Sequence, residues 1–78
     1  GNWMAQRNLG YLYLKGKGVS LDKVYALMWF SLAGTAGDDV AYSEAQSLLK
    51  VLDKSEIKEA YELARDCYDN FLKGCYVR

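Results

Sequence analysis

Apolar residues recur along this chain at helical spacing. Ala5, Leu9, Leu12 and Tyr13, closed by Gly16, follow an i, i+4, i+7, i+8 rhythm, which predicts a helix over residues 3–15 with one packed face and Gly16 in the left-handed position that ends it. Val19 and Val24 flank Ser20 as a hydrophobic staple, with Ser20 as N-cap and the Asp22 carboxylate in the first turn, so a second helix is predicted over 20–36. It carries Ala26, Trp29, Phe30 and Ala33 on one face and Leu21, Val24, Met28 and Leu32 on another. A helix apolar over most of its circumference sits between two layers. Gly37 closes it, and Ala41, Ala45, Leu48, Leu49 and Leu52 mark a third helix over 39–52. Asp53 and Glu56 have capping-box spacing, and Ile57, Ala60, Tyr61, Ala64, Cys67, Tyr68 and Phe71 stripe a fourth over 54–71. Its other face, with Lys58, Glu59, Glu62, Arg65, Asp66 and Asp69, reads as solvent-exposed. The pattern is all-α, with each helix antiparallel to the next.

The 78 residues make one domain at most. A chain this short removes only about 60% of its unfolded surface from water, so the core is thin. Ten basic residues balance ten acidic ones, leaving no excess charge to hold a nucleic-acid backbone or an anionic membrane surface. The longest uncharged stretch, Val24 to Gly37, is shorter than the roughly 18 to 20 apolar residues of a membrane span. The first residues form a polar-aromatic segment and do not read as a signal peptide. The absence of His removes the usual general base and the commonest metal ligand together, which weakens most catalytic readings.

Shifting the chain by 36 places Gly1 on Gly37, Ala5 on Ala41, Leu9 on Ala45, Leu12 on Leu48 and Tyr13 on Leu49. A shift of 34 then aligns Asp22 with Glu56, Ala26 with Ala60, Trp29 with Leu63, Phe30 with Ala64 and Ala33 with Cys67. The chain repeats itself, with small Ala for close helix approach and large Trp and Phe between layers, as stacked helix pairs require.

The first copy contains L-G-x-L-Y-x-x-G-x-G-V-x-x-D-x-x-x-A-x-x-W-F-x-x-A, from Leu9 to Ala33, closed by Gly37. This run resembles the Sel1-like repeats, a branch of the tetratricopeptide-like helical solenoids. The resemblance implies a short α/α solenoid of antiparallel helix pairs. Residues 1–37 are then one full repeat, and residues 38–78, which lack the G-x-G-V turn, resemble a divergent C-terminal capping repeat. Gly1-Asn2-Trp3-Met4 falls on Gly37-Asp38-Asp39-Val40, so the chain is expected to be the C-terminal end of a longer solenoid whose preceding repeats pack against it. Trp3, Tyr11 and Leu14, opposite the packed stripe of the first helix, would then form an exposed apolar patch.

The resemblance also implies binding of a protein or peptide in the concave face of a scaffold or adaptor module, in a larger bacterial protein, rather than chemistry. The first helix offers Arg7, Tyr11 and Leu14 there, and the 36-residue shift adds Ser43, Ser47 and Lys50. These six residues are the candidate partner-binding groove, weighed against an ordinary solvated surface. The enzyme alternative is a cell-wall or β-lactam hydrolase. S-x-x-K strings occur at Ser20 to Lys23, Ser47 to Lys50 and Ser55 to Lys58, but neither companion motif, K-T-G or S-D-N, is present. Gly16-Lys17-Gly18 follows no strand and is a turn, not a phosphate cradle. Glu44, Asp53, Glu56 and Glu59 each have a first-turn or solvent-face explanation, so no metal and no cofactor is expected.

Cys67 and Cys75 are the only cysteines. A straight helix through both would hold their Cα atoms about 12 Å apart, beyond the roughly 7 Å reach of a disulfide. Asp69, Asn70 and Gly74 offer turn positions that let the tail fold back instead. The resemblance implies the second course, a Cys67–Cys75 bond of the kind found in exported relatives, and with it a periplasmic or secreted location. Free thiols would place the protein in the cytoplasm.

Overall fold

The computed structural model describes residues 3–16 and 21–69, with side chains described up to residue 66. Four helices follow one another: α1 (Trp3–Lys15), α2 (Lys23–Thr35), α3 (Asp39–Leu49) and α4 (Lys54–Asp69). Among the described residues there is no strand.

Glycines and carboxylates set the helix ends. Gly16 takes φ +69° and its N–H donates to the Leu12 carbonyl at 2.8 Å, while Gly37, at φ +114°, follows α2. α2 begins three residues later than its sequence predicts. Its N-cap is Asp22, whose Oδ1 accepts the Tyr25 N–H at 3.1 Å, and the Asp22 N–H is itself tied to the Tyr13 carbonyl at 2.9 Å. Those two bonds fix the entry to α2 at Asp22 and leave Leu21 outside the helix, 59% exposed rather than on an apolar face. The expected cap, Ser20, lies outside the described residues. α3 is capped by Asp38, whose Oδ1 accepts from Val40 and Ala41, and it ends at Leu49 in a turn rather than running to residue 52. The capping box of α4 forms as its spacing predicts: the Glu56 N–H donates to Asp53 Oδ1 at 2.8 Å and the Asp53 N–H to Glu56 Oε1 at 3.1 Å. Phe71, the expected end of α4, lies outside the described residues.

α2 is the centre of the molecule and packs against α1, α3 and α4. Nine of its 13 residues are buried, including Leu27, Met28, Trp29 and Phe30, as expected of a helix apolar on all sides. One side, with Ala26, Leu27, Phe30 and Ala33, shares a cluster with Ala41, Ala45 and Leu48 of α3 and Ala60 of α4. The other, with Tyr25, Met28, Trp29 and Leu32, meets Leu9 and Tyr13 of α1 and Leu63 and Ala64 of α4. Gly10 faces Phe30, Tyr13 faces Tyr25 and Gly34 faces Tyr42, so α1 and α3 both run antiparallel to α2. The second pair is looser than its sequence suggests, because α4 leans on α2 more than on α3. Tyr61, expected in the packed stripe, is 45% exposed for that reason.

The packed face of α1 also differs from the predicted one. Gln6 and Gly10 are the buried residues of α1, whereas Ala5 is exposed and Leu12 is 38% exposed. The cause is Gly10: an ideal Cβ there would lie 2.8 Å from the Phe30 ring, so only a residue without a side chain lets the two helices approach this closely. That contact turns α1 about its axis and brings Tyr11 and Leu14 against the core, where the sequence pattern had put them opposite it.

Candidate functional site

α1 and α3 run side by side in the same direction, and two polar contacts lock them. Arg7 Nη1 lies 3.3 Å from Asp38 Oδ1, and the Tyr11 hydroxyl donates to Glu44 Oε2 at 2.6 Å. Asp38 is almost fully buried and caps α3 with the same oxygen, so the Arg7 charge sits beside a carboxylate that water hardly reaches. Its second oxygen is buried without a hydrogen-bond partner, which the adjacent guanidinium offsets electrostatically. Arg7 also stands over the Trp3 ring, 5.7 Å from its centroid, and Lys15 over the Tyr11 ring at 5.8 Å.

Tyr11 is wedged between the two helix pairs. Its ring meets Phe30 edge-on with centroids 5.0 Å apart, and its hydroxyl reaches across to α3. The hydrogen bond to Glu44, then partial burial, then the charge of that carboxylate hold the phenol proton, so Tyr11 titrates above its usual value near 10.

The six candidate groove residues therefore separate into two groups. Arg7 and Tyr11 are tied to α3, and Leu14 packs beside the core. Ser43 and Ser47 of α3 and Lys50 at its C-cap are exposed and follow one another at helical spacing. Asp38 and Glu44 complete the arrangement, and neither was among the six. Asp38 could have been read as an N-cap from its place after Gly37. Nothing local marks Glu44, which meets its partner 33 positions away.

Ser47 and Lys50 lie on open surface, which leaves Lys50 hydrated rather than enclosed as an active-site base needs to be. Ser55 and Lys58 are exposed as well. Among the described residues, no three Cys, Asp or Glu gather in a way that could hold a metal ion, and no helix is long and apolar enough to cross a membrane. A separate cleft of about 210 Å³ opens where α3 and α4 diverge, with Phe30 and Gly34 at its base and Tyr42 and Tyr61 at its mouth. Cys67 and Cys75 cannot be assigned a pairing, because the Cys67 side chain and all of Cys75 lie outside the described residues.

Residues 3–38 match the family model of the Sel1 repeat, a span that takes in α1, its turn, α2 and the cap of α3. Over those residues the chain is similar to a Sel1 repeat. Its L-G-x-L-Y stretch supplies Gly10 and Tyr13, and its W-F pair supplies Trp29 and Phe30, the residues that weld α1 to α2. Sel1 repeats are helical repeats that generally mediate protein–protein interactions and are not catalytic modules. No curated protein and no solved structure matches the chain.

Proposed function

We propose that this protein is an interaction scaffold that holds a protein or peptide partner on the surface shared by α1 and α3. The observation that supports it is the pair of contacts from Arg7 to Asp38 and from Tyr11 to Glu44, which fix the two helices side by side. Ser43 and Ser47 on the helix so fixed, and Lys50 at its C-cap, are left exposed. A surface held rigid before binding loses little conformational entropy on capturing a partner. Residues 38–78 serve in this reading as the cap of the stack, because the outer face of α4 presents Lys58, Glu59, Glu62 and Arg65 to solvent.

A photo-crosslinking residue at Ser47, compared with one at Lys58 on the solvent face of α4, tests the assignment in the source organism. One discrete adduct from position 47, weakened by Lys50→Glu and missing from position 58, is the expected result. Adducts from both positions alike, or from neither, would count against it. The reading further places the protein in an oxidising compartment, as an adaptor of bacterial origin, on the ground of the Cys67–Cys75 pairing that the family resemblance implies. Alkylation of the unfolded, unreduced protein followed by mass measurement decides that point. Two added alkyl groups mean free thiols and remove the argument for export.

A further inference from the structure

The cleft between α3 and α4 keeps two tyrosines in water. Phe30 and Gly34 form its base, while Tyr42 and Tyr61 stand at its mouth, 59% and 45% exposed. No charged side chain lines it, and the Thr35 hydroxyl on its wall already donates to the Ser31 carbonyl at 2.9 Å. The cleft therefore offers apolar contact and little polar recognition. At about 210 Å³ it is smaller than the roughly 300 to 1,000 Å³ of a small-molecule site, so it suits side chains rather than a cofactor.

The chain itself supplies such side chains close by. Residues 70–78, N-F-L-K-G-C-Y-V-R, follow α4 directly and lie outside the described residues. They include Phe71, Leu72, Tyr76 and Val77 and no acidic residue, whereas α4 carries five acidic residues against three basic ones. Lys73 and Arg78 thus complement the charge of the helix along which the segment would return. From Tyr61 to the end of α4 is about 12 Å at 1.5 Å per residue, and nine residues reach up to about 30 Å, so the segment spans the distance back to the cleft. Asn70 and Gly74 are turn formers. A segment tethered this close meets the cleft at an effective concentration on the order of 1 mM, ahead of a second copy or a free peptide of equal fit.

We propose that residues 70–78 fold back from the end of α4 and close this cleft, placing apolar side chains against Tyr42 and Tyr61. The tail then joins α3 to α4, a pair that packs less than α2 does with either. Tyr42 and Gln46 line the cleft on the other side of α3 from the Glu44 bond to Tyr11, so the inference stands apart from the proposed partner surface. The course is compatible with a Cys67–Cys75 bond and does not require one.

The test uses the full chain, purified, dilute and reduced, so that no disulfide holds the tail. A diazirine amino acid at Gln46, on the cleft wall, is compared with one at Ser47, on the open side of α3. Peptide mapping should find crosslinks from position 46 to residues 70–78 of the same molecule at least about fivefold more often than from position 47. This comparison needs no change in the tail and so does not depend on how a tail variant folds. Acetylation of Tyr42 and Tyr61 is then measured in the chain without any probe, and it should rise at least about threefold when Phe71→Ser and Tyr76→Ser are combined. Equal crosslinking from both positions, or tyrosine labelling that the double variant leaves unchanged, would overturn the inference. Crosslinks between molecules would also overturn it, by giving the cleft to a second copy.

Discussion

Gly10→Ala opposes two effects whose balance the geometry decides. In an exposed helix interior the change gains about 1 kcal/mol, because Ala loses less backbone entropy than Gly on folding. Here the new methyl would stand 2.8 Å from Phe30 Cδ1 and Cε1 and 3.0 Å from Cζ. Carbon atoms settle at roughly 3.5 to 4.0 Å, so the ring or the helix must retreat by nearly 1 Å. Phe30 has 0% exposure and its ring is held edge-on by Tyr11, which leaves it nowhere to go. Overpacking of this kind costs roughly 1 to 3 kcal/mol. The net expectation is a loss of about 1 kcal/mol, a fall in Tm of about 4 to 8 °C for a domain of this size. Circular dichroism at 222 nm during heating, with a urea series for the free energy, measures it. Asn8→Ala, on the exposed side of the same helix, is the control and should stabilise slightly. A Gly10→Ala variant that gains stability as Asn8→Ala does would mean that Gly10 faces solvent, and the orientation of α1 described above would be wrong.

Trp29→Ala removes one of the largest buried side chains, 1% exposed, and should cost about 3 to 5 kcal/mol, so a soluble variant with an unchanged urea midpoint would remove Trp29 from the core. Asp38→Ala deletes the cap of α3 and the partner of Arg7 together and should cost more than the roughly 1 kcal/mol of a cap alone, whereas Asp38→Asn retains a capping oxygen and should lose less; equal losses would mean that the cap adds nothing to stability and the Arg7 pair carries the whole effect. The raised titration of Tyr11 favours its neutral form in the folded state, so its contribution is complete below pH 10 and is lost as pH rises through the higher folded value. Wild type should therefore lose stability faster than Tyr11→Phe above about pH 10, and parallel urea midpoints from pH 9 to 11 would contradict this.

Much of the frame could be read from the residues because it is local. Gly16 and Gly37 take the positive φ that their positions after helices suggest, and Asp53 and Glu56 close the capping box their spacing announces. The burial of α2 follows from the lack of any polar stripe between Val24 and Ala33. The orientation of α1 was not legible in the same way. Its stripe of Ala5, Leu9 and Leu12 is apolar, but periodicity cannot say which neighbour a stripe serves, and Gly10 counts for nothing in such a pattern although its missing side chain fixes the approach to Phe30. Asp22 displaced Ser20 as the start of α2 because a carboxylate two residues on makes the bond to Tyr25. The contacts across α1 and α3 join residues 31 and 33 positions apart, beyond the reach of any local rule. They change the expectation for Tyr11 as well. As a groove residue alone it could be truncated without loss of stability, but the ring that meets Phe30 and the hydroxyl that meets Glu44 make Tyr11→Ala destabilising.

Everything proposed for the partner surface depends on α1 lying against α3, and a double-mutant cycle on Tyr11 and Glu44 measures that contact directly. Tyr11→Phe, Glu44→Gln and the double variant are unfolded in urea at pH 7 beside wild type. A hydroxyl donating at 2.6 Å to a carboxylate should give a coupling of about 0.5 to 1.5 kcal/mol, so that the double variant loses less than the sum of the single changes. Strict additivity, with no coupling beyond error, would mean that the two helices do not meet there in solution.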